Sequence, residues 1–322
     1  DVLKKTTMSL GGWKVRAVGV TGQSISPILL DSEAKPLYHA ISHLDTRSVP
    51  TANSLAERFG PLSYFGFKFF ANLLWVRSEL PEVWKRIGMV FDVKEYVGYL
   101  LTNQRSTDRI WYLIEDVERL CSELGIPLEW LGPSKSFTEV LGCVTAEAGR
   151  KTGIPEGTPV VVSLGDSLAS AFGSGVAKEG DMADVCGATE VMAAAVRDVR
   201  GIPSYPYLLP GLKIASHSPP IGLMHKTLVA MLGELTNTKD DYKTFEQMAS
   251  EAEPGAGNII FLPGSFKTRP KTIDMAFIHL GYSNNFKQVA RAFYECTAFE
   301  LRHTVEAFEA AGAKVNRIVV SG

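Results

Sequence analysis

The sequence predicts an α/β fold in two parts, on three observations. Short β-branched apolar runs that end at glycine turns recur along its 322 residues. Segments with apolar residues at helical spacing lie between those runs. The texture also changes near Gly153, after which small-residue turns dominate, and a division into two lobes is expected near residues 176–183.

Val15-Arg-Ala-Val-Gly-Val20 reads as the first strand, closing on Thr21-Gly22-Gln23. Ile28-Leu29-Leu30, a polar connection at residues 31–35, and Pro36-Leu37-Tyr38 have the pattern of a hairpin. Leu74, Trp75, Pro81 and Trp84 mark two helices broken at the proline, whose ring and missing N–H end a helix. Tyr96 to Leu101 is a third helix. Residues 109–124 read as an amphipathic helix, with Ile110, Ile114, Val117 and Cys121 on one face. Thr158 to Ser163 is a fully apolar strand that runs into Gly165-Asp166-Ser167 and a small-residue helix, Leu168 to Gly175. Asp184-Val-Cys186 and Val191 to Ala195 are strand-like arms around Gly187-Ala188-Thr189-Glu190. Asn258 to Leu262 is a buried strand. Residues 285–311 form a long helix ended by Gly312, and Ile318-Val319-Val320 is the last strand.

An apolar fraction of 45% suits a packed core, and a net charge of −2 with interspersed signs gives no electrostatic case for a nucleic-acid or membrane partner. No run approaches the roughly 18 apolar residues of a membrane span, and the first residues lack the apolar core of a signal peptide. The four cysteines (Cys121, Cys143, Cys186, Cys296) are far apart, so buried free thiols in a reducing compartment are expected, and with them a cytoplasmic location. His43, His217 and His225 show no metal-ligand spacing and are expected at the surface or satisfied in the core. The chain starts in a charged stretch before a strand and stops just after one, at Ser321-Gly322; a longer parent sequence is expected.

Asp166 follows an apolar strand, where an α/β sheet usually binds its ligand. Partial burial would make it a useful proton acceptor, although an aspartate there caps the next helix equally well. Gly187-Ala188-Thr189 joins two strands; its N–H groups and the threonine hydroxyl could hold a phosphate, and a plain hairpin is the commoner explanation. Thr21-Gly22-Gln23-Ser24 and Asp45-Thr46-Arg47 could bind hydroxyls or simply be solvated. Neither a Gly-x-x-x-x-Gly-Lys-Ser/Thr loop nor a Gly-x-Gly-x-x-Gly turn after a strand is present.

Taken in order, the segments resemble the FGGY carbohydrate kinases, the family that includes the xylulokinases. Val18-Gly-Val-Thr-Gly-Gln23 resembles the family's sugar-contact turn, and Ile41-Ser-His-Leu-Asp-Thr-Arg-Ser48 the end of its Ile-x-Trp-x-Asp-x-Arg-Ser segment. Thr152 to Val161 and Gly165 to Gly175 resemble its best-marked stretch. Gly187-Ala-Thr189 resembles its phosphate turn, and Ala290 to Arg302 with Arg317 to Gly322 its closing helix and strand. The resemblance implies the two-domain actin-like, ribonuclease-H-like α/β fold with a cleft between domains. A sugar-binding domain would span residues 1–178 and a nucleotide-binding domain residues 179–322.

It further implies an ATP-dependent sugar kinase acting on a pentulose such as xylulose, with Mg²⁺, and allows a homodimer. Asp166 would be the general base. Gln23, Ser24, Ile25, Asp45 and Arg47 would surround the sugar, with Ser167 as a polyol contact. Gly187, Ala188 and Thr189 would face the phosphates, and Gly322 would begin the adenosine turn. Three departures bear on these roles. The family's Asp-x-Gly-Thr turn should precede residue 1, Ala188 stands where threonine is usual, and Ser24-Ile25 replaces the Met-His of xylulokinases. A sugar-binding paralogue or regulator with impaired catalysis is the alternative.

Overall fold

The computed structural model describes residues 2–9, 11, 13–59, 64–108, 117–202, 204–236, 241–263 and 275–322. The chain divides into two units, Asp1–Ala169 and Ser170–Gly322. The division precedes the expected 178/179 boundary because residues 174–178 are tied to strands of the second unit. Ser174 Oγ lies 3.0 Å from Ser321 Oγ, and the N–H groups of Ala177 and Lys178 both donate to Asp181.

In the first unit the hairpin forms as the sequence predicts. Pro27–Leu30 bridges Pro36 through Leu30, and Asp31 Oδ1 accepts the N–H groups of Glu33 and Lys35 to close the turn. The main partner of Pro27–Leu30 is Met89–Asp92, antiparallel in the register Pro27↔Asp92. Helices Val49–Phe59, Tyr64–Glu79, Pro81–Trp84 and Val117–Leu124 surround this pair. Leu29, Phe67, Phe70, Leu73 and Leu120 fill the core between them. Each such side chain is worth about 1.5–3 kcal/mol on burial. The helix read over 109–124 is seen at Val117–Leu124; Ile110 and Ile114 lie outside the described residues.

The run predicted as the first strand is mostly irregular and is a strand only at Thr21–Gly22. It still tracks the chain beside it. Val18 N–H donates to the Pro159 carbonyl, and Val161 and Leu164 donate back to Val18 and Val20. Thr21–Gly22 then pairs in parallel with Leu164–Gly165, Gly22 opposite Gly165. Pro159–Val161 pairs on its other side with Val140–Cys143. The carboxyl ends of the two parallel runs therefore open together.

In the second unit a five-stranded sheet has the order Ser204–Pro206, Lys213–His217, Glu190–Val196, Asp181–Cys186, Arg317–Ser321. The last strand is parallel to its neighbour and the other pairings are antiparallel. Helices Ile221–Thr236, Tyr242–Ser250 and Phe286–Ala310 share a core of Leu228, Phe245, Phe261 and Phe293. The long helix starts on an Asn285–Gln288 capping box and ends before Gly312, at φ +100°. The strand expected over 258–262 is seen at Ile260–Pro263, half exposed rather than buried because only Met275–Ile278 pairs with it among the described residues.

All four cysteines are free thiols. Cys121 and Cys296 are buried as expected, but Cys143 and Cys186, each the last residue of its strand, are exposed. Among the described residues no helix is long and apolar enough to cross a membrane.

Candidate active site

The parallel register Gly22↔Gly165 makes Gln23 and Asp166 the next residues at the ends of neighbouring strands. Asp166 is the first residue of helix Asp166–Gly173, and its Oδ1 accepts the N–H of Ser167 at 2.7 Å. It is exposed, where partial burial was expected, because it stands at the open end of the strand pair. Ser163, just upstream, has a buried Oγ with no partner among the described residues.

Gln23 Nε2 donates to Ser26 Oγ at 2.9 Å, and the same hydroxyl accepts the N–H of His43 at 3.2 Å. The turn at 23–26 and the loop at 41–47 are thereby tied together. Ser24 Oγ and His43 Nδ1 are both buried without a partner among the described residues. Such orphaned groups are costly unless something hydrogen-bonds them. Ile25 does not fit the role first given to it: its side chain is buried in the core, and its backbone is held at φ +63°. Ser24 alone of that pair is left to meet a ligand by its side chain.

Asp92 causes this turn. Its carboxylate accepts the N–H groups of Ile25 and Ser26 at 2.9 Å each, the N–H of Val93 and the buried ammonium of Lys94. Asp92 also opens helix Val93–Thr102 through a capping box with Glu95. Its trace in the sequence is Asp92-Val-Lys-Glu95 before an apolar helical run, the spacing of a capping box.

Asp45 and Arg47 form a forked pair, with Nε 3.0 Å from both carboxylate oxygens and the guanidinium 3.9 Å over the Trp75 ring. The Arg47 hydrogen bond holds the Asp45 carboxyl below its ordinary range, against a smaller opposing effect of burial. The buried Lys68 ammonium donates to Ser48 Oγ and Asn72 Oδ1, at 2.6 and 2.9 Å. Burial lowers its pKa, and Asp45 pulls it back up. Gln23, Ser24, Asp45, Arg47, Asp166 and Ser167 all belong to the first unit.

Gly187, Ala188, Thr189 and Gly322 belong to the second. The Gly187 N–H is already bonded to the Val185 carbonyl at 3.0 Å, so the turn can still offer the N–H groups of Ala188 and Thr189 and the threonine hydroxyl. Gly222, at the start of helix Ile221–Thr236, approaches so closely that a Cβ there would collide with the Gly187 carbonyl, and Leu223 N–H donates to the Ala188 carbonyl. Gly322 likewise has no room for a side chain beside Cys186. The turn is thus a cradle that glycines keep narrow at the start of a 16-residue helix. Gly222 leaves only Pro219-Pro-Ile-Gly222 before an apolar run as its trace in the sequence.

Of the histidines, His225 is a satisfied core residue, packed among Phe245, Phe293 and Tyr242 with Nε2 3.2 Å from Tyr294 Oη. His217 lies 3.5 Å from Glu300.

A family model, the FGGY family of carbohydrate kinases, N-terminal domain, matches residues 1–173. The xylulose kinase of Bacillus subtilis is 25% identical over 338 residues, covering 96% of this chain and 66% of that protein. The probable L-xylulose kinase of Pasteurella multocida is 22% identical, covering 96% and 68%. The chain therefore spans about two thirds of the length of the curated relatives it matches. Among solved structures, the xylulose kinase from Rhodospirillum rubrum matches with a TM-score of 0.81 at 25% identity, over 99% of this chain and 70% of that one. The gluconate kinase from Lactobacillus acidophilus matches with a TM-score of 0.82 at 19% identity, over 99% and 70%. The fold shared with these neighbours is the α/β, actin-like and ribonuclease-H-like one.

Proposed function

The chain belongs to the FGGY family of carbohydrate kinases, and from that premise we propose that it transfers the γ-phosphoryl group of ATP to a hydroxyl of a sugar or polyol, a pentulose such as xylulose. The observation that supports this reading best is the parallel register Gly22↔Gly165, which sets Gln23 beside Asp166 at the open ends of two strands. Asp166 takes the proton of the attacking hydroxyl; it is exposed, and among the described residues no cation pairs with it to compete for that role. Gln23, Ser24, Asp45 and Arg47 position the sugar, with Ser26 fixing the two segments relative to each other. Orientation supplies most of the catalysis in phosphoryl transfer, since the protein does little covalent chemistry there.

The glycine-narrowed turn at Gly187, Ala188 and Thr189 fits a phosphate chain, and Gly322 would stand at the start of the adenosine contact. The Gly187–Thr189 turn would hold the phosphate chain, and Mg²⁺ bound with the nucleotide would supply neutralisation of its negative charge. Relatives' names supply the pentulose class, and the chain's Ser24-Ile25 leaves the choice of sugar to measurement.

A sugar panel assayed for ADP release with ATP and Mg²⁺ tests the proposal. Turnover should depend on sugar, and Asp166→Asn should lower it by about 10²–10⁴-fold with the fold unchanged. Ala188 and the engaged Gly187 N–H favour one other reading, a sugar-binding regulator of the same fold. Sugar-induced thermal stabilisation without ADP release would select it.

A further inference from the structure

Asp184, Cys186 and Glu190 form a second group of chemically active side chains that the kinase reading does not use. Their strands pair antiparallel with Cys186 opposite Glu190 and Asp184 opposite Met192, so all three side chains lie on one face of the sheet. One donor atom from each lies within 4.8 Å of the others. Asp184 and Glu190 are only 4% and 5% exposed, and neither Asp184 Oδ1 nor Glu190 Oε2 has a partner among the described residues.

Two carboxylates buried side by side need either a shared proton, which neutralises one of them, or a cation between them that lets both stay ionised. Among the described residues no lysine or arginine pairs with either. Burial first, and then each other's charge, raise the Glu190 carboxyl, and burial raises Asp184. Glu300, itself beside His217, adds negative charge from the long helix, and the Cys296 thiol faces the same group. Cys186 is exposed, which supplies both a third donor and an entry path.

We propose that Asp184, Cys186 and Glu190 bind a divalent metal ion of the zinc class at the base of the Gly187–Thr189 turn, with a solvent oxygen completing the set. The thiolate selects a borderline ion over Mg²⁺ or Ca²⁺, which prefer all-oxygen sites. On binding, Zn²⁺ replaces the Cys186 thiol proton and the proton held between the two carboxyls, so protons are released. The metal clamps both strands where they enter the turn. The proposal does not depend on sugar-kinase activity.

The test titrates chelator-stripped full chain with Zn²⁺ against a chromophoric chelator, and with Co²⁺ by absorption. One equivalent should bind with proton release, and Co²⁺ should give a thiolate-to-cobalt charge-transfer band. Cys186→Ser, at an exposed position, should abolish the band. It should also weaken Zn²⁺ binding by more than the roughly 10–100-fold that even outer partners of metal ligands are worth. Glu190→Gln should weaken binding similarly while circular dichroism shows the fold kept. Absence of one-equivalent binding would mean that the carboxyls share only a proton, and would overturn the site. A band or affinity unchanged in Cys186→Ser would overturn it as well.

Discussion

The Asp92 carboxylate accepts the backbone N–H of Ile25 at 2.9 Å, and Ile25 stands at φ +63°. A β-branched residue in the left-handed region costs about 1–3 kcal/mol and persists only where its surroundings impose it. Here Asp92 imposes it from one side and the apolar core, which holds the Ile25 side chain, from the other. The strain lies in the turn that carries Gln23 and Ser24, so it serves to aim them.

Asp92→Asn should therefore act on the sugar side at a distance. An amide cannot accept from Ile25, Ser26, Val93 and Lys94 at once, and one of its own N–H groups would face a donor. The loss should be about 3–5 kcal/mol, the usual cost of breaking a buried charged network. Thermal unfolding should show it, and the sugar KM should rise while the ATP KM stays unchanged.

Arg47→Lys separates positioning from stability. The pair with Asp45 is partly exposed, so its loss should cost less than about 1 kcal/mol of stability. Lysine has neither the fork that meets both carboxylate oxygens nor the planar face over Trp75. The sugar KM should rise by about tenfold, equivalent to about 1.4 kcal/mol. An unchanged KM would remove Arg47 from the sugar site.

Gly222→Ala probes the other unit. The added Cβ would strike the Gly187 carbonyl, and backbone on both sides must shift to admit it. A cost of about 1–3 kcal/mol is expected from such overpacking. Nucleotide affinity should fall while sugar affinity holds; an unchanged nucleotide affinity would mean that the turn has no part in nucleotide binding.

The sequence alone exposed those parts of the molecule whose pattern is local. The hairpin at Asp31, the proline break at Pro81 and the strand-to-helix step at Asp166 each follow from a few adjacent residues. What it hid depends on pairing across the chain. Asp92 matters because Pro27 pairs with it, which brings Ile25 within reach from 67 residues away. Gly222 matters because its helix starts against Gly187. The Asp184, Cys186 and Glu190 group appears only when two strands fold back at Thr189, and its spacing matches no familiar ligand motif. The inward turn of the Ile25 side chain is hidden for the related reason that the backbone N–H it follows is held by a carboxylate far along the chain.

Asp181 gives the second unit a pH dependence whose sign can be worked out. Burial pushes its carboxyl up, but the Arg317 guanidinium and the N–H groups of Ala177 and Lys178, each about 3.1 Å away, outweigh this and hold it below the ordinary carboxylate value. A group with a depressed pKa in the folded state contributes stability that is present above its unfolded pKa and is lost as pH falls through the folded one. Stability should therefore decline on acidification below the ordinary carboxylate range. Other carboxyls, Asp45 and Glu300 among them, are depressed too, so the informative quantity is the difference between wild type and Asp181→Asn. That variant should be less stable at neutral pH by about 1.5–3 kcal/mol, the worth of hydrogen bonds to a charged group. The gap should close as pH falls, because protonated Asp181 no longer differs in charge from asparagine. Denaturant unfolding across that pH range reads the gap directly. A gap that stayed constant would show that Asp181 acts by shape alone and that Arg317 contributes no charge-dependent stability.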